Sequence, residues 1–135
     1  MKTLDMRFIR YLNLFEKITR VRTKNCFEYN NAIVFAVHPS CISRAIGEQG
    51  NNIKEMSEIL GKKIKVISLP MRGIERFIAD IVSPVKFKSI EITEREIIIN
   101  AGKQSKAALI GRNRIRLEEL SNVAKEHFGK EIKII

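Results

Sequence analysis

Ile46-Gly47-Glu48-Gln49-Gly50 and Ile110-Gly111-Arg112-Asn113-Arg114 decide how this chain is read, because each stands at the same place in a longer repeated pattern. After the first comes an apolar-periodic stretch, then Gly61 and Lys62-Lys63-Ile64-Lys65-Val66-Ile67. After the second comes another, then Gly129 and Lys130-Glu131-Ile132-Lys133-Ile134-Ile135. Ahead of them, Ala32-Ile33-Val34-Phe35-Ala36-Val37 falls on Glu96-Ile97-Ile98-Ile99-Asn100-Ala101. A repeat of this kind is one supersecondary unit used twice. The offset is 64 residues between Gly47 and Gly111 and 68 between Gly61 and Gly129. The four added residues are about one helical turn, so the longer helix of the second copy keeps its facing.

Residues 4–22 read as an amphipathic helix with Phe8, Leu12, Phe15 and Ile18 on one face. Phe27 and Tyr29, then Ile33, Phe35 and Val37, flank Asn30-Asn31, a pair suited to the positive φ angles of a tight hairpin. Pro39 opens a short helix to residue 46, buried through Ile42, Ala45 and Ile46 and ended by Gly47. Asn51 or Asn52 is expected to cap the next helix, whose core stripe is Ile53, Met56, Ile59 and Leu60, with Gly61 as its stop. A strand over residues 63–69 closes the unit.

The second copy opens with Ile74, Phe77, Ile78, Ile81 and Val82 at helical spacing, stopped by Ser83-Pro84. Val85 and Phe87, then Ile90 and Ile92, predict a strand with a bulge near Ser89, and a turn at Glu94-Arg95 leads into Ile97-Ile98-Ile99. A short helix over 103–110, a long one turning Leu117, Leu120, Ala124 and Phe128 inward, and a strand over 131–135 complete the order. Each unit thus reads α-β-β-α-α-β. The class is α+β, with domains expected at 1–70 and 71–135 and held closely packed by the apolar helix that joins them.

At 135 residues the chain divides into halves of about 65, near the lower size at which a domain folds alone. Its 25 Lys and Arg against 15 Asp and Glu give a formal charge of +10, which makes a polyanion the first partner to test. Cys26 and Cys41 lack metal-ligand spacing and His38 and His127 complete no zinc set, so buried thiols and no cofactor are expected. No nucleotide-binding GxxxxGK[ST] loop and no Ser, His and acid grouping can be located, which argues against an enzyme. No run approaches the roughly 20 apolar residues of a membrane span. The N-terminus lacks a secretory cleavage pattern, and a cytoplasmic protein without membrane partners is expected.

A Gly-x-x-Gly loop between helices removes side chains where a sugar-phosphate backbone must come close, and the following helix offers unpaired N–H groups and its positive dipole end. Gly47, Glu48, Gln49 and Gly50 form the first such loop, with Arg44 a turn before and Lys54 a turn after as phosphate contacts. Glu48 repels a polyanion unless it faces solvent, leaving hydrogen bonding to Gln49. Gly111, Arg112, Asn113 and Arg114 form the second, without its last glycine. The surrounding stretch carries Lys103, Lys106, Arg112, Arg114 and Arg116 and no acid, so backbone approach is traded for side-chain charge. Three or four neutralised phosphates would give a logarithmic salt slope of about −2 to −3 for single strands.

This arrangement resembles a type II KH domain, a single-strand RNA reader whose groove holds about four nucleotides. Two such units in a short chain, carrying Ala45-Ile46-Gly47-Glu48-Gln49-Gly50-Asn51-Asn52-Ile53 and Leu109-Ile110-Gly111-Arg112-Asn113-Arg114-Ile115-Arg116-Leu117, look like the archaeal NusA-related transcription factors. Lys125-Glu126-His127-Phe128-Gly129 before a final strand is similar to the end of that family's second KH unit. The resemblance implies binding of single-stranded RNA in transcription elongation, termination or antitermination, with RNA polymerase as partner. A KH protein of the ribosome or of ribosome assembly would share the fold, charge and loops and is the alternative. With no Trp and only Tyr11 and Tyr29, a reader built on aromatic base stacking is disfavoured. Base discrimination is expected from groove hydrogen bonds.

Overall fold

The computed structural model describes residues 6–135, and the expected helix start at residue 4 lies outside them. The chain forms two compact units that divide between Phe77 and Ile78, inside one helix. Among the described residues there are six α-helices and two three-stranded sheets, an α+β architecture.

Helix α1, Met6–Thr19, stops three residues before the predicted end. Arg20 takes a left-handed φ of 64° and Thr19 turns its hydroxyl inward, donating to the Phe15 carbonyl at 2.7 Å and accepting from the Val21 amide at 3.0 Å. The chain therefore leaves the helix without stranding a buried polar group. Strands β1, Asn25–Tyr29, and β2, Ala32–Val37, form a hairpin in which Asn30 and Asn31 have φ of 52° and 61°. Those are the angles a two-residue turn of this hand requires. β2 lies between antiparallel β1 and parallel β3, Lys63–Ser68. Its central place explains why all six of its residues are buried.

The first core gathers Phe15, Cys26, Ile33, Phe35, Ala45 and Met56. The rings of Phe15 and Phe35 stack with centroids 4.2 Å apart. The buried-thiol expectation holds for Cys26, whereas Cys41 is only half-buried. After β2, a 3-10 turn at Pro39–Cys41 runs into α2, Ile42–Ile46, and α3 spans Asn51–Leu60 with Gly61 left-handed at φ 65°. Ile59, expected in the α3 core stripe, is 57% exposed; Met56 is the buried member.

Helix α4, Ile74–Val82, carries buried Phe77, Ile78, Ile81 and Val82, as its spacing predicted. β4 covers only Ser89–Ile92. The predicted strand at Val85 and Phe87 is absent, because the turn at Ser83-Pro84 continues through a Val85 amide bond to the Val82 carbonyl at 2.9 Å. Pairing begins with the Lys88 amide on the Asn100 carbonyl at 2.8 Å, so the bulge near Ser89 is instead the start of the strand. β5, Glu96–Asn100, lies between antiparallel β4 and parallel β6, Glu131–Ile134. α5, Lys103–Ile110, and α6, Ile115–Phe128, sit between β5 and β6 in sequence, and Leu109, Leu120, Val123 and Ala124 are buried. α6 has 14 residues against 10 in α3, which is where the repeat's extra turn lies.

Candidate nucleic-acid interface

The two loops have one backbone. Gly47 (φ 81°, ψ 168°), Gln49 (55°, 26°) and Gly50 (73°, 18°) in the first are matched by Gly111 (76°, 171°), Asn113 (55°, 27°) and Arg114 (63°, 21°) in the second. Each loop is a single 3-10 turn between helices, closed by an amide bond back to its first glycine: Gly50 to the Gly47 carbonyl at 3.1 Å, Arg114 to the Gly111 carbonyl at 3.2 Å. Arg114 thus holds the left-handed conformation of the missing glycine and leaves the turn unchanged.

The glycines do different work. A Cβ on Gly47 would lie 2.8 Å from the Asn52 side chain and 3.0 Å from its amide nitrogen, and one on Gly111 would lie 2.6 Å from Arg116 Cγ. A Cβ on Gly50 would meet nothing within 4 Å. The first glycine is therefore demanded by the chain's own packing. The last position faces open space, which is why an arginine can stand there in the second loop.

Asn52, one of the two residues expected to cap this helix, has another role. α3 starts from left-handed Gly50 without a side-chain cap, while Asn52 Nδ2 donates to the Arg44 carbonyl at 3.0 Å, tying the end of α2 to the start of α3. Its counterpart Arg116 packs over Gly111 and pairs with Glu119 at 2.8 Å, with side chains only 16% and 21% exposed. That guanidinium is engaged inside the unit. Asn52→Ala should cost about 1 kcal/mol of stability, the usual net worth of one such bond, read as a lower urea midpoint with unchanged slope. An unaltered midpoint would deny the tie any structural weight.

Arg44, Glu48, Gln49 and Lys54 are exposed around the first loop, and Lys103, Lys106, Arg112, Asn113 and Arg114 around the second, while Gly47, Gly50, Gly111 and Arg116 are half-buried. Among the described residues, Arg44, Lys54, Lys103, Lys106, Arg112 and Arg114 make no ion pair and present their charge to solvent. Lys103 opens α5 and Gly111 follows its end. At 1.5 Å per residue they stand about 12 Å apart along the helix, so Lys103 does not join the loop arginines. Among the described residues no three His, Cys, Asp or Glu gather to hold a metal, and no helix is long and apolar enough to cross a membrane.

Fold and loops together define a duplicated α+β protein carrying one solvent-exposed turn between two helices in each copy. No family model matches the chain. It is 26% identical to the "Probable transcription termination protein NusA" of Methanococcus vannielii, over 98% of this chain and 79% of that protein. It is likewise 26% identical to the protein of that name from Methanocaldococcus jannaschii, over 94% and 72%. The crystal structure of APE1850 is 30% identical, covers 98% of this chain and 100% of that one, and superposes with a TM-score of 0.71. The chain is thus NusA-like, similar over most of its length to these archaeal proteins.

Proposed function

We propose that the chain binds single-stranded RNA through two tandem type II KH units and acts in transcription elongation, termination or antitermination with RNA polymerase, in the cytoplasm and without catalysis. The observation that carries this reading is the shared loop. A three-residue turn of unusual backbone angles is built twice from different side chains and closed the same way each time. The order α-β-β-α-α-β with a central strand parallel to the last supports the type II assignment. Relatives named for transcription termination favour that process over the ribosomal alternative.

The RNA-binding residues in this reading are Arg44, Gly47, Glu48, Gln49, Gly50 and Lys54 in the first unit and Lys103, Lys106, Gly111, Arg112, Asn113, Arg114 and Arg116 in the second. Arg116 acts by positioning, since its charge is paired with Glu119. A fluorescence-anisotropy salt series with a labelled oligouridylate should give a slope of about −2 to −3, against weaker binding of matched duplex RNA. Glu48→Asp combined with Gln49→Asp, which adds a negative charge to the first loop, should weaken single-strand binding about fivefold, the worth of about one phosphate contact. Equal affinity for duplex and single strand would reduce the reading to diffuse charge attraction.

A further inference from the structure

At the far end of α5 from its loop, the second unit holds a cavity of about 510 Å³ walled by Lys86, Phe87, Lys88, Gly102, Lys103 and Ser105 among others. Its volume lies in the range of sites that hold small ligands or parts of larger ones. Three lysines converge on it, and no carboxylate contributes to its wall. Among the described residues none of the three makes an ion pair. Gathering like charges round one concavity raises the local positive potential and with it the concentration of anions there.

Gly102 shapes the wall. A Cβ there would lie 3.0 Å from Lys88 Cε and within van der Waals distance of Cδ and Cγ, so the glycine lets the Lys88 stem lie flat against the start of α5. Half-buried Phe87 adds an apolar surface beside the ammonium groups. The first copy has no such cluster. Sixty-four residues earlier, Lys86, Lys88 and Lys103 correspond to Arg22, Lys24 and Pro39. There Arg22 Nε donates to Glu16 at 3.0 Å, and the proline removes the third charge.

We propose that this cavity binds a phosphate of the RNA strand engaged by the second loop, carrying the contact back along α5 from Gly111 to Lys103. The inference rests on the single-strand RNA reading above. It explains why Lys103, remote from the loop arginines, is nevertheless unpaired, and it adds Lys86 and Lys88 to the surface.

The test compares the full chain with a Lys86→Gln, Lys88→Gln, Lys103→Gln variant, using oligouridylate anisotropy and the backbone amide shifts of residues 101–105. Loss of about one phosphate contact should weaken binding about fivefold at 0.1 M salt and make the slope shallower by about 0.7. The same amides should shift when RNA is added to the unaltered protein. If the unaltered protein binds RNA and the variant matches it in affinity and slope, the cavity is not a contact, Lys103 drops out of the RNA-binding set, and the two loops remain as the site. Amide shifts caused by ATP but not by RNA would also overturn the assignment. Absence of any RNA binding by the unaltered chain at low salt would instead remove the underlying reading.

Discussion

Gly47→Ala is expected to destabilise the first unit by about 3–5 kcal/mol, whereas Gly50→Ala should cost only about 1–2. At φ 81° and ψ 168°, Gly47 occupies a region of backbone space almost closed to residues with a Cβ, worth about 1–3 kcal/mol. The new methyl would also meet the Asn52 side chain at 2.8 Å and its amide nitrogen at 3.0 Å. Asn52 cannot swing clear without releasing the Arg44 carbonyl, and the backbone nitrogen cannot move without shifting α3. Overpacking of that kind adds a similar amount. Gly50 has only the left-handed φ of 73° to lose, with open space beyond it. Urea unfolding followed by circular dichroism would separate the two, and equal costs would refute the division of labour between them. Because the same glycine meets Arg116 in the second loop, Gly111→Ala should behave like Gly47→Ala.

The repeat was legible because pairing register is written in sequence offset. Ala32 pairs with Lys63 and Glu96 with Glu131, so the 64-residue shift of the middle strands and the 68-residue shift of the last strands are both ladder registers. The Asn30-Asn31 hairpin was legible too, since few residue pairs accept two positive φ angles. What pattern could not reveal depends on atoms distant in sequence or on one unforeseen dihedral. Asn52 looked like a cap because Asn caps helices well. The left-handed Gly50 took that place, and the amide reached Arg44 instead. Ile59 matched the helical period but lies on the exposed side of α3, a matter of where α3 packs. Arg116 could have been foreseen as paired, because Glu119 stands three residues on, on the same helix face.

Arg112→Ala combined with Arg114→Gly should bind single-stranded RNA about twenty-fold more weakly at 0.1 M salt, with the slope shallower by about 1.4, the worth of two phosphate contacts. The same variant should be as stable as the parent or about 1 kcal/mol more so, because Arg114 sits at φ 63° and glycine takes that angle without penalty. Binding and stability would then move in opposite directions. This separation matters because the variant brings the second loop closer to the Gly-x-x-Gly pattern while removing its charge. If close backbone approach governs the contact, the restored glycine should hold or improve affinity. If the arginines govern it, affinity falls despite the better pattern. The geometry favours the arginines: the turn already has the right shape with Arg114 in place, and the position it fills in the first loop faces open space. The first loop, with Glu48 exposed and Gly50 bare, should then contribute the less salt-sensitive share of binding, and the slope left in the variant would be that share together with the contacts of the second unit's lysines.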